Sequence, residues 1–212
     1  MQHEQYKPSV EKHDDIDIEI LDNLHNLGIS EADLVGKKVL DIGAGGGEFA
    51  QWANRHGANV TSLALDLEPQ EIERLGATHT PFVIGNATHL PFPDASFELV
   101  LSHAAVPNVV SALSEAEDKS LESLAEAAHE RRCAAVREAV RVLKPGGEIR
   151  FAPVIRNERN AWGIDRNISM KKIFNELRSE PGLELVEESL QKDEEGGGGI
   201  VRDTYRIIIR KK

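Results

Sequence analysis

Val39-Leu40-Asp41-Ile42-Gly43-Ala44-Gly45-Gly46-Gly47-Glu48-Phe49-Ala50 is the stretch on which the fold turns. A short apolar run carrying one acid leads directly into four glycines within five positions, and a helical pattern starts at Glu48. The run reads as a buried strand. Glycine is needed where the backbone takes positive φ or where a ligand approaches without a Cβ in its way. In an open α/β sheet the first strand-to-helix turn lies at the carboxyl ends of the strands, beside the switch point where ligands bind. A turn of this composition therefore predicts a nucleotide-type site.

Outward from this loop, strand and helix patterns alternate. Residues 17–27 carry Ile18, Leu21, Leu24 and Leu27 at helical spacing, with Gly28 as a stop signal. Residues 60–65, 82–84, 97–101 and 148–154 read as further strands. Residues 48–56, 70–75, 111–143 and 170–177 read as helices. Two closing strands, 183–189 and 204–209, are joined by a turn containing Gly196 to Gly199. Such alternation specifies an α/β fold with a mostly parallel sheet and right-handed crossovers. The closing pair, with no helix between its members, suggests one antiparallel edge and an antiparallel final strand. The expected organisation is an N-terminal arm and helix over residues 1–30, packed on a single domain over 31–212.

Composition narrows the function. The 212 residues are 40% apolar and 29% charged, which is globular, with a net charge of −11. An acidic surface repels phosphates, so nucleic acid is disfavoured as a partner. The one cysteine, Cys133, cannot form an internal disulfide. With no apolar run suited to a signal peptide or membrane span, the expected location is cytoplasmic, as a monomer or homodimer.

The glycine loop departs from the dinucleotide pattern, whose sixth place needs a small residue; here it is Glu48. This argues against an NAD-dependent oxidoreductase. The pattern is acid-x-G-x-G-x-G, led by Asp41, and it resembles the first motif of class I S-adenosylmethionine-dependent methyltransferases. The segment Gly85-Asn86-Ala87-Thr88-His89-Leu90-Pro91-Phe92, then Ser96-Phe97-Glu98-Leu99, is similar to the ubiquinone-biosynthesis-like (type 11) branch of that family. So is Leu143-Lys144-Pro145-Gly146-Gly147. The resemblance runs over residues 34–154. It implies a Rossmann-like three-layer sandwich on a seven-stranded sheet. It also implies a cofactor site at Asp41, Gly43, Ala44, Gly45, Gly47, Asp66, Leu67, Asn86, Ala87 and Ser102. The leading acid, Asp41, would hold the cofactor's ammonium. Asp66, 19 residues after Gly47, stands where an acid reaches ribose hydroxyls, and it is equally placed to cap a helix. The family has an acid where this chain has Asn86, whose amide oxygen can still accept a bond from the adenine amino group.

Methyl transfer is an in-line displacement with an activated leaving group, so holding the reactants in line does most of the work. A base helps when the acceptor is a hydroxyl. His103, at the end of the fourth strand, is the candidate base; its alternative role is packing under the cofactor. Tyr6, Asn108, Arg156 and Trp162 are candidate substrate contacts, with helix capping as the alternative for Asn108. Residues 111–128 form either a lid or a longer solvated helix. No acid cluster after strands four and five suggests a metal. The predicted function is methylation of a small-molecule acceptor, with S-adenosylhomocysteine as product. The alternative is a cofactor-binding regulatory or partner subunit that has lost chemistry.

Overall fold

A computed structural model describes residues 11–65, 82–106, 121–155, 166–191 and 204–212. The chain enters through α1 (Glu11–Leu27) and the single turn α2 (Glu31–Leu34). It continues through β1 (Lys38–Ile42), α3 (Glu48–Arg55), β2 (Asn59–Leu65), β3 (Phe82–Gly85) and β4 (Phe97–His103). It closes with α4 (Leu121–Val142), β5 (Leu143–Ile155), α5 (Arg166–Arg178), β6 (Leu183–Gln191) and β7 (Thr204–Lys211).

The seven strands form one sheet in the order β3-β2-β1-β4-β5-β7-β6. Strands β1 to β5 pair in parallel. Strand β7 runs antiparallel to both β5 and β6. The final strand is thus antiparallel as expected, and the closing pair forms one edge of the sheet, with β7 between β5 and β6. Its residues explain the placement. Ile207, Ile208 and Ile209 are consecutive and buried, as a strand covered on both faces requires, whereas β6 interrupts its apolar residues with Glu184, Glu187 and Glu188.

Side chains alternate between two cores. Leu40, Val100 and Phe151 belong to the cluster that includes Ala135, Val136 and Ala139 of α4 and Ile173, Phe174 and Leu177 of α5. Val39, Leu99, Leu101 and Ala152 belong to the cluster built with α1 and α3, including Ile20, Leu24, Leu27 and Trp52. Neighbouring residues reach opposite faces because the strand period is two. The result is the three-layer sandwich.

The stripe on α1 corrects the sequence reading. The buried positions are Ile20, Leu24 and Leu27, while Ile18 and Leu21 stand 59% and 48% exposed. At 3.6 residues per turn Ile20, Leu24 and Leu27 fall within about 60° of one another, whereas Ile18 lies opposite Leu27, so the buried set is the tighter stripe. The helix ends as expected at Gly28, in a Schellman arrangement: Ile29 N–H donates to Leu24 O and Gly28 N–H to His25 O, both at 3.0 Å. Gly28 has φ +66°, and a Cβ there would lie 2.1 Å from the Arg206 guanidinium. That guanidinium donates to His25 O and Asn26 O, and Arg150 donates to Leu27 O and Gly28 O. Two arginines from the sheet thereby satisfy carbonyls that a helix end leaves open. Glu188 holds Arg206, and Glu148 holds Arg150.

Candidate active site

Strand order reverses between β1 and β4, which lie side by side and run to β3 and β6 on opposite edges. At their carboxyl ends sits a cleft of about 420 Å³. Its lining comes from four elements: Glu19, Ile20, Asn23 and Leu27 of α1; Asp41 of β1 with Gly43, Ala44 and Gly45 of the loop; Glu48 and Phe49 of α3; and His103 of β4. A second hollow, of about 370 Å³, lies between α4 and α5.

The loop folds as its composition demands. Gly43 and Ala44 donate their N–H groups to Leu63 O at 2.8 and 3.1 Å, and Gly47 N–H closes the turn on Ala44 O at 2.8 Å. Gly43 has φ +87°, and a Cβ on it would collide with Ala105 at 2.0 Å. Gly47, at φ +85°, caps α3 in a left-handed conformation that side chains resist. Ala104 is held at φ +55° beside His103, a strained conformation for a residue with a Cβ.

The electrostatics are unusual. Asp41 is 7% exposed, and burial together with the Glu48 charge raises its carboxyl to about 7. No hydrogen bond among the described residues relieves it. Burial holds the His103 imidazole below its ordinary value, and the charge of Glu19 opposes that shift. His103 Nε2 is buried with no hydrogen-bond partner among the described residues. Three carboxylates face the cleft, and among the described residues no lysine or arginine lines it. Such a site favours a cation.

Asp41, Gly43, Ala44, Gly45 and His103 come together here. Gly47 lies behind the loop as the helix cap. Ser102 is fully buried, and its hydroxyl accepts from Val106 N–H at 2.9 Å, so its side chain holds the turn after β4 rather than the cleft. Ala87 is buried. Asn86 is exposed at the end of β3; its Oδ1 accepts from the N–H and the hydroxyl of Thr88, both at 2.8 Å. An adenine amino group would share that oxygen with Thr88. Asp66, Leu67, Tyr6, Asn108, Arg156 and Trp162 lie outside the described residues, as does the 111–120 part of the 111–128 segment; its remainder is helical, in α4. The reading from sequence missed Glu19, Asn23 and Leu27. They stand at i, i+4 and i+8, one face of a helix, and that spacing was the available signal.

A family model described as methyltransferase domain matches residues 40–151, more than half of the chain. The chain is 34% identical over 129 residues to a ubiquinone biosynthesis O-methyltransferase of Sodalis glossinidius, covering 61% of this chain and 45% of that protein. It is 33% identical over 168 residues to a phthiotriol/phenolphthiotriol dimycocerosates methyltransferase of Mycobacterium tuberculosis, covering 73% and 54%. The chain thus spans about half the length of these relatives. Among solved structures, an S-adenosylmethionine-dependent methyltransferase from Thermotoga maritima has the same fold at a TM-score of 0.50. It is 18% identical, with 91% of this chain and 89% of that one covered.

Proposed function

The chain belongs to the methyltransferase domain family, and from that premise we propose that it transfers a methyl group from S-adenosylmethionine to a hydroxyl of a small-molecule acceptor. One observation carries the cofactor part: a buried carboxylate, Asp41, without a hydrogen-bond partner among the described residues, faces a cleft floored by glycines. An ammonium is the ligand group that such a carboxylate lacks. The acidic lining also suits a sulfonium and repels a pyrophosphate. An oxygen acceptor is supported by the name of the Sodalis relative, an O-methyltransferase of ubiquinone biosynthesis. No helix among the described residues is long and apolar enough to cross a membrane.

In this reading Asp41 accepts the ammonium, and Gly43, Ala44 and Gly45 let the methionine portion lie against bare backbone. Asp66 takes the ribose, and Asn86 and Ala87 flank the base. When bound, the cofactor supplies an electrophilic methyl whose leaving group is a neutral thioether. The α1 wall and the loop after β4 hold the acceptor in line with that methyl and exclude water. His103 is neutral at pH 7 because burial opposes its protonation, so it is able to take the hydroxyl proton. Tyr6, Asn108, Arg156 and Trp162 are assigned to the acceptor side.

Calorimetric titration with S-adenosylhomocysteine, with NADH as the comparison, tests the cofactor. Micromolar binding of the first alone is expected; binding of NADH alone would overturn the reading. With the cofactor established, His103→Ala is expected to lower kcat by about 10²–10⁴-fold if the base role holds, with little change in S-adenosylhomocysteine affinity.

A further inference from the structure

Helix α1 is more than a cover for the sheet. Its buried stripe seats it on the second core, and Arg150 and Arg206 fix its last turn. With the helix fixed at one end and packed along its length, Glu19, Asn23 and Leu27 present one face to the cleft. Glu19 lines the same cleft as His103, whose Nε2 is buried and unpartnered among the described residues. A neutral imidazole that accepts a proton becomes a cation in a place where burial penalises charge.

We propose that Glu19 is a positioning residue for His103: from the α1 wall its carboxylate stabilises the imidazolium that forms when the ring takes the proton of the acceptor hydroxyl. The inference rests on the methyltransferase reading. In the step, the acceptor oxygen forms its bond to the methyl carbon, and the carbon–sulfur bond breaks with its electron pair going to sulfur. The hydroxyl proton passes to His103 Nδ1, the ring nitrogen that is not buried, and later leaves to solvent. Other charged groups face the cleft: Asp41 from β1 and Glu48 from α3. Ala152, in register with His103 on β5, carries no charge. Glu19 meets the ring across the cleft from the α1 wall, and its charge opposes the lowering that burial imposes on the imidazole. Glu19 is also exposed, so replacing it leaves the core intact.

The test follows the His103 ring by nuclear magnetic resonance, with His103→Asn identifying its signal among the eight histidines. Glu19→Gln is expected to lower the titration midpoint of His103 by half a pH unit or more. Glu19→Asp, which keeps the charge, is expected to restore most of it. In the active enzyme at saturating cofactor, the acid limb of kcat moves to lower pH by the same amount in Glu19→Gln. An unmoved His103 midpoint overturns the proposal, as does a moved midpoint with an unmoved kcat limb. Failure of the wild-type protein to bind S-adenosylhomocysteine is a separate result: it removes the methyltransferase reading, whereas the ring titration still reports the coupling of the two side chains.

Discussion

Two charged regions of this molecule follow opposite rules. Around Arg141, every donor is used. Its five N–H groups reach Glu138, Asp94, Leu90 O and Phe92 O at 2.7–3.1 Å, and Glu138 accepts in addition from Leu90 N–H. Arg141 holds the Glu138 carboxyl below its usual range. In the cleft the reverse holds: among the described residues Asp41 has no hydrogen-bond partner and His103 Nε2 is an orphan, and burial pushes the Asp41 carboxyl up. Both regions are rich in charge, so composition does not separate them. Satisfaction does. A completed network fixes structure, here the loop between β3 and β4 that carries Asn86. An incomplete one lacks groups that a ligand can bring.

The sharpest way to break the comparison is to open the completed network. Arg141→Ala leaves half-buried Glu138 and two carbonyls without their donor and is expected to cost about 2 kcal/mol. In a chain of this size that lowers the thermal midpoint by roughly 4–8 °C. A loss under 1 kcal/mol in chemical denaturation would show the network to be ornamental.

Asp41→Asn is the complementary change, and its two effects have opposite signs. Affinity for S-adenosylhomocysteine is expected to fall about 30-fold, the worth of roughly 2 kcal/mol in a charge-assisted bond. Stability without ligand moves the other way. The folded-state carboxyl titrates near 7, above its unfolded value, so the folded form binds the proton more tightly. The stabilising effect of that proton is complete below pH 4 and is lost as pH rises to 7. The variant escapes this loss and should be more stable than wild type at pH 8, by on the order of 2 kcal/mol. Denaturant titration at pH 5 and pH 8 separates the two; an equal difference at both would reject the buried-charge account.

The same titration predicts the pH dependence of binding in the wild type. An ammonium needs the ionised carboxylate, so the dissociation constant should be flat above about pH 7.5. It should weaken about tenfold per unit below about 7, with proton release on binding. Calorimetry in two buffers of different ionisation enthalpy reads that proton directly. Flat affinity from pH 5.5 to 8 would place the ammonium away from Asp41.

The smallest effect concerns backbone strain at the same site. Ala104→Gly relieves a left-handed alanine beside His103 and is expected to stabilise by about 1 kcal/mol or less. A net destabilisation would mean that the Ala104 side chain contributes packing that outweighs the strain.

What could be read from the sequence followed distance along the chain. The loop from Gly43 to Gly47 was legible because its cause is local: positive φ and a close neighbour require glycine wherever the fold places them. The strands were legible from apolar runs, and Gly28 as a helix stop for the same local reason. The buried face of α1 was misread rather than hidden: Ile20, Leu24 and Leu27 form a tight helical stripe, whereas a spacing of three from Ile18 to Leu27 turns halfway round the helix. The closing pair was legible as an antiparallel edge, though the order of its two strands was left open; Ile207 to Ile209 carry the signal that β7 is the inner one. The wall of the cleft was hidden more deeply. Nothing near Glu19 announces that Arg150 and Arg206 will seat its helix beside His103. Likewise the occupied oxygen of Asn86 follows from Thr88 and from how the loop turns, which residue type alone does not specify.

The bond from Arg206 to His25 O joins residues 181 apart in sequence. Closing so large a loop carries a high entropic cost, and contacts of this kind form late in folding. During synthesis the glycine loop and β1 to β4 leave the ribosome well before β7 does. The first helix then waits for the last strand, so a nascent chain holds its ligand-binding elements without the finished wall. Ligand is thereby expected to bind only after the sheet is complete, and its binding reports on correct assembly of the whole chain.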